Sequence, residues 1–212
     1  MADALFAFEA VVVEAGGRRI LDGVTAELPD RGVTCLVGPS GSGKSTMLRL
    51  CNRLEVPTSG VVRFRGTDLA ELDVLAHRRR VGMVFQRPTP FPGTVRDNLL
   101  VARPGTDDGV LGVVLERAAL PEHFLDRVAD ELSGGEAQRM CLARTLVTDP
   151  EVLLMDEPTS SLDADAAKEL ERLARRLADD GVPVVWVSHD LAQVDRIADA
   201  RLLVDQGRVH RG

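Results

Sequence analysis

Two stretches of this sequence have residue types and spacings suited to handling phosphate. The first, Gly38-Pro39-Ser40-Gly41-Ser42-Gly43-Lys44-Ser45-Thr46, matches the pattern G-x-x-x-x-G-K-[ST]. Glycines let backbone N–H groups turn inward around β- and γ-phosphates, and a helix opening at the end of the loop adds its positive dipole end. Lys44 then offers a point charge to the β/γ oxygens, and the Ser45 hydroxyl suits Mg²⁺. The plainer alternative is a glycine- and serine-rich loop with a solvated lysine. An apolar run before the motif and a helical pattern after it favour the phosphate cradle.

The second stretch, Val152-Leu153-Leu154-Met155-Asp156-Glu157, is an apolar run that ends in two carboxylates. Neighbouring residues on a strand point to opposite faces, so the two acids can hold different tasks. Asp156 suits the shell of Mg²⁺, directly or through water. Glu157 suits a general base that orients and polarises an attacking water. Such a pair alone is as often a solvated turn. Beside a phosphate loop in the same chain, the functional reading outweighs the turn.

Positioning these groups requires strands that end where the motifs begin. Val33–Val37 is a continuous apolar run, as expected of a buried parallel strand, and a helix is expected over 47–54. Short β-rich runs over 6–14, 18–20 and 23–28, with turn residues between them, suggest antiparallel strands at the start of the chain. Further strands are expected over 61–65 and 80–85, the latter ending at Gln86. Pro88, Pro90, Pro92, Pro104 and Pro121 then punctuate short helical patterns such as 110–119. This reads as a small helical lobe, 87–148, set into a core formed by 1–86 and 149–212, the whole a single domain. Helices over 133–147 and 164–178 alternate with strands Val152–Asp156 and Val184–Ser188, which implies a mostly parallel α/β sheet.

The 212 residues suffice for one domain with a full core, and 44% hydrophobic content is ordinary for a globular chain. A net charge of −7 offers no basic footprint for nucleic acid, so no nucleic-acid partner is expected. No apolar stretch is long enough to span a bilayer. Met1-Ala2-Asp3-Ala4-Leu5 lacks the basic start of a signal peptide. Cys35, Cys51 and Cys141 show neither metal-ligand spacing nor a disulfide framework, so reduced, buried thiols in the cytoplasm are expected. His77, His123 and His210 match no motif. The run Arg78-Arg79-Arg80 reads as a solvated face preceding a strand.

Leu132-Ser133-Gly134-Gly135-Glu136 resembles the LSGGQ signature of ABC ATPases and is followed by Ala137-Gln138-Arg139, also usual there. Asp156-Glu157-Pro158-Thr159-Ser160-Ser161-Leu162-Asp163 is similar to that family's Walker B and D-loop run. Gln86 and His189 fall where the family has its Q-loop glutamine and switch histidine. These elements occur in the family's order and cover nearly the whole chain. The resemblance implies an α/β fold: a P-loop ATPase core with a mostly parallel sheet, an N-terminal antiparallel β subdomain and a small inserted helical subdomain. It also implies an ATP-binding, ATP-hydrolysing subunit that energises an ABC transporter as a head-to-tail dimer, with itself or with a paralogous ATPase. Each ATP then lies between one subunit's phosphate loop and the other's signature. By the same resemblance His189 contacts the γ-phosphate, Gln86 joins Mg²⁺ and water, and Asp163 communicates across the dimer. Transmembrane permease subunits are expected as separate chains, gripped through Pro90-Phe91-Pro92-Gly93-Thr94-Val95-Arg96-Asp97-Asn98-Leu99. That places the protein peripherally on the inner face of the cell membrane. The last stretch resembles bacterial phosphate-importer ATPases and related putative metal exporters. The chain ends soon after His189, so no C-terminal regulatory domain is expected.

The signature also has a physical reading of its own. Ser133 with the N–H groups of Gly134 and Gly135, opening a helix, is a second phosphate-binding helix end. Ser133 is equally an N-cap whose capping box Glu136 completes. Two residues depart from the family pattern. Glu136 stands where the signature has Gln, adding charge near an incoming triphosphate. Ala15 stands where the family stacks an aromatic ring on adenine, and the chain contains no Tyr. Two rival functions carry less. A non-transport ABC ATPase needs a long coiled-coil insertion or a second ATPase domain, and the proline-rich segment before Leu132 is too short for sustained heptads. A catalytically idle binding module has no use for Lys44, Glu157 and His189 together.

Overall fold

The computed structural model describes residues 4–211; Met1, Ala2 and Asp3 of the N-terminal reading, and Gly212, lie outside the described residues. The chain opens on a long β-hairpin, β1 (Ala4–Ala15) and β2 (Arg18–Pro29), turned at Gly16-Gly17. The sequence suggests a break in the second strand at Leu21–Asp22. The strand instead runs on through Gly23, whose φ of 68° fits an irregular register rather than a turn. β3 (Val33–Val37) leads into the phosphate loop and α1 (Lys44–Cys51). The helix therefore starts at the motif's own lysine, three residues before the apolar periodicity signals it. β4 (Ser59–Phe64) and the short β5 (Thr67–Asp68) complete an antiparallel sheet of order β2-β1-β4-β5.

α2 (Val74–Arg80) precedes β6 (Val81–Val84). Arg78-Arg79-Arg80 precede the strand and lie mostly in solvent, as expected, and they form the last turn of a helix, where cations complement the dipole. Arg78 donates to the carbonyls of Asn52 and Arg53, and Arg80 pairs with Glu151 at 2.6 Å. α3 (Val95–Ala102), α4 (Asp108–Arg117) and α5 (Gly134–Leu146), with two short 3₁₀ turns between the last two, fill the stretch between β6 and β7 (Val152–Asp156). α6 (Ala164–Asp179), β8 (Val184–Ser188), α7 (Leu191–Ile197), β9 (Ala200–Asp205) and β10 (Arg208–Arg211) follow. The last three were not expected from sequence, since α7 is short and β9 alternates only weakly.

The second sheet has the order β10-β9-β3-β8-β7-β6, and every pair except β10–β9 is parallel. The central strands β3, β7 and β8 are buried along their whole length, which explains their unbroken apolar sequences. Alternate side chains feed two cores. Cys35, Met155 and Trp186 pack with α5, α6, α7 and the helical segment; Leu36, Leu154 and Val187 pack with α1 and the antiparallel sheet. All three cysteines are free and buried, and burial pushes the Cys35 thiol up to about 12, so these are inert thiols.

Candidate active site

The parallel strands end level with one another: Val37 lies opposite Ser188, and Asp156 opposite Val187. β8 lies between β3 and β7, so the segment after β8, which carries His189, is flanked by the phosphate loop and the acidic pair. Ligands of open parallel sheets bind at this carboxyl edge.

The phosphate loop is braced from below. Gly43 has φ 108°, and a Cβ there would lie 2.7 Å from Leu21 Cδ2. A Cβ on Gly38 would lie 2.0 Å from the Val204 carbonyl. A Cβ on Gly41, by contrast, would meet nothing within 4 Å, so the upper side of the loop is open to a ligand. Gly207 donates its N–H to the Ser42 carbonyl at 3.0 Å and accepts from the Asp22 N–H at 2.9 Å, fastening the loop to the β9–β10 turn and β2. Pro39 and Ser40 are exposed on the loop, and Thr46 is half-buried in α1.

Lys44 is buried, and its ammonium donates to the Gly38 and Pro39 carbonyls, both at 2.8 Å. Burial holds its pKa below the ordinary lysine value, against the raising influence of Glu157 and Asp156. Ser45 Oγ donates to Asp156 Oδ1 at 2.6 Å, and Arg49 Nη2 lies 3.4 Å from Asp156 Oδ2. A hydroxyl and a carboxylate make a sparse set of hard oxygen donors. That suits Mg²⁺, which binds through one or two carboxylates, substrate phosphates and retained waters. Among the described residues no cluster of three or more His, Cys, Asp or Glu offers a fuller metal cage.

Glu157 does not continue the strand. β7 ends at Asp156, and Glu157 turns away with φ 43°, a left-handed conformation rare for a residue with a side chain. The two acids thus diverge because the backbone turns, not because of strand alternation. Glu157 Oε1 lies 4.0 Å from Lys44 Nζ, and Oε2 lies 3.2 Å from His189 Nδ1. His189 itself is largely exposed, as is Gln86, two residues beyond the end of β6.

The signature lies elsewhere. Ser133 caps α5 with a complete capping box: its side chain accepts from the Glu136 N–H, and Glu136 accepts from the Ser133 N–H at 2.8 Å. Arg127 Nη1 pairs with the other Glu136 oxygen at 3.0 Å, so the added charge is neutralised within the chain. A Cβ on Gly135 would lie 2.9 Å from that of Ala166, which makes this glycine the contact between α5 and α6; Gly134 faces open space. Asp163 caps α6, accepting from the N–H groups of Asp165 and Ala166, and these bonds hold its carboxyl below the usual range. Ser133, Gly134, Gly135 and Asp163 line a groove of about 440 Å³, and no residue of the phosphate loop lines it. Sequence reasoning missed Gly207 and Arg127. Gly207 carries only the signal of a turn, and nothing local connects either residue to the motif it supports.

Fold and site together define a phosphate-loop ATPase. A family model described as ABC transporter matches residues 21–160, and the chain belongs to that family. It is 47% identical over 202 residues to Protein STAR1 of Oryza sativa subsp. japonica, covering 92% of this chain and 58% of that protein. It is 44% identical over 210 residues to Phosphate import ATP-binding protein PstB 2 of Mycobacterium tuberculosis, covering 91% of this chain and 75% of that one. The solved structure of cbiO1 from Clostridium perfringens, described as part of the ABC transporter complex cbiONQ, superposes with a TM-score of 0.89. Its identity is 26%, over 98% of this chain and 87% of that one. Among the described residues no helix is long and apolar enough to cross a membrane.

Proposed function

We propose that this chain binds and hydrolyses Mg²⁺-ATP between its own phosphate loop and the signature of a second ATPase chain, and so drives membrane subunits on separate polypeptides. One observation carries the reading. The chain has two helix ends whose residues suit phosphate, at α1 and α5, and the groove at the second contains nothing of the first. Two copies related by a two-fold satisfy both cradles at once, giving two equivalent sites. Docking to permease subunits through the segment around Phe91 then places the protein peripherally at the inner membrane face. The naming of one relative for phosphate import and of another as part of a transporter complex supports the transport role.

Within the site, Lys44 and the backbone N–H groups that open α1 stabilise charge on the transferring phosphate. Ser45 and Asp156 would hold Mg²⁺, which when bound neutralises phosphate charge. Glu157 accepts the proton of the attacking water, and His189, in contact with the same carboxylate, fixes its direction. Gln86, on the rim after β6, reports nucleotide state to the helical segment, and Asp163 faces the partner ATPase. Loss of the γ-phosphate releases the two chains from each other.

The test is Glu157→Gln. Turnover is expected to fall by roughly 10²–10⁴-fold, with ATP and magnesium converting the protein to a stable dimer on size-exclusion chromatography. A variant that stays monomeric and keeps its turnover overturns the reading.

A further inference from the structure

Behind the Glu157–His189 pair lies a buried polar relay that the chemistry above does not use. Gln193 sits on α7, one helical turn beyond His189, and is almost fully buried. Its Oε1 accepts from the indole N–H of Trp186 at 3.1 Å. Its Nε2 donates to Thr159 Oγ at 2.9 Å and to Glu171 Oε1 at 3.0 Å. Tryptophan can only donate here, so the orientation of the amide is determined. Glu171, also buried, is held from its other side by Arg196 through bonds of 2.9 and 2.7 Å.

Burying an amide, a carboxylate and an indole N–H together costs free energy unless every partner is supplied. An apolar core would hold α6 and α7 together equally well, so packing alone does not explain the arrangement. What the relay joins is more telling. Thr159 stands two residues past Glu157, in the turn closed by the Ser160 N–H on the Glu157 carbonyl. Gln193 stands in the helix that opens just after His189. The one amide therefore ties the chain segment of the base to that of its imidazole partner, and anchors both to α6.

We propose that Gln193 is a positioning residue for ATP hydrolysis: it sets the registry between Glu157 and His189. The inference rests on the roles proposed above for those two residues.

The experiment is steady-state ATPase kinetics on the purified full chain. Gln193→Leu keeps the volume and removes the bonds; kcat is expected to fall roughly 10- to 100-fold, as for a misplaced catalytic group, with KM for ATP little changed. Trp186, the only tryptophan, should shift its fluorescence emission to the blue on losing its acceptor. Gln193→Glu alone should be slow, because it sets a second carboxylate against Glu171. Thr159→Val, which removes only the hydroxyl that receives the Gln193 amide, should lower kcat in the same direction with KM for ATP again little changed. Wild-type kcat in Gln193→Leu, or in Thr159→Val, overturns the proposal. Glu157→Gln runs alongside: if it retains turnover, the site reading falls and this inference with it. If Glu157→Gln is inactive while Gln193→Leu is not, only the coupling is wrong.

Discussion

His189 Nδ1 lies 3.2 Å from Glu157 Oε2, while Lys44 Nζ lies 4.0 Å from the other oxygen of the same carboxylate. A buried ammonium and an exposed imidazole therefore flank one carboxylate, and three motifs far apart in sequence meet at it. This happens because β3, β8 and β7 are adjacent parallel strands that end level, so whatever follows each strand is delivered to the same edge.

His189→Ala removes the partner that directs Glu157 without touching the phosphate loop. The expected outcome is a kcat reduced by about 10²-fold with KM for ATP nearly constant, measured by steady-state kinetics. An unchanged kcat would place His189 outside the reaction.

Gly207→Ala tests the brace beneath the phosphate loop. Gly207 has φ 76°, and a Cβ there would lie 2.7 Å from the Ile20 carbonyl. The strain should cost about 1–3 kcal/mol, which in a chain of this size lowers the melting temperature by roughly 2–4 °C per kcal/mol. Because Gly207 also donates to Ser42, ATP affinity should weaken in the same variant. Calorimetry and nucleotide titration read the two effects separately.

Glu136 is held below the ordinary glutamate range chiefly by the Ser133 N–H, with help from the Ser133 hydroxyl and Arg127 and against the opposing effect of burial. A carboxyl with a depressed native pKa stabilises the fold above its unfolded value, ~4.3, and loses that contribution as pH falls through the native value. Glu136→Gln should therefore cost about 0.5–1 kcal/mol near neutral pH, from the lost helix-end charge and ion pair, and almost nothing in strong acid. Denaturant melts at both pH values test this. ATPase activity should change little, because Ser133 and Gly134 present the groups that face a nucleotide.

Ala15 is exposed at the end of β1, paired with Arg18 across the Gly16-Gly17 turn, and offers no ring to a base. Ala15→Tyr should tighten ATP binding by about 1–3 kcal/mol, the worth of base–aromatic stacking. Wild-type protein should discriminate weakly between ATP and GTP. Strong native preference for ATP in a competitive titration would falsify this account of the base.

The chemistry-bearing residues were legible because each demands a particular type at a particular spacing. Glycines that turn N–H groups inward, a lysine after them and carboxylates at an apolar strand's end leave few alternatives, and the buried strands carrying them are unbroken apolar runs. α7, β9 and the arginine-rich turn of α2 were less legible, because short elements carry too few periods to outweigh local polarity. The left-handed turn at Glu157 was invisible for a related reason: nothing in Asp156-Glu157-Pro158 separates a strand that continues from one that turns.

By itself, then, the sequence determined the reaction class and the family and marked the candidate residues of both proposed phosphate cradles, since these depend on local patterns. Tertiary structure alone decided which of those residues meet. It set Lys44 and His189 around the Glu157 carboxylate, paired Glu136 with Arg127, fastened Ser42 to Gly207 and buried Gln193 between Trp186, Thr159 and Glu171. Strand order and a backbone turn create these contacts, and neither is written in the spacing of the residues they join.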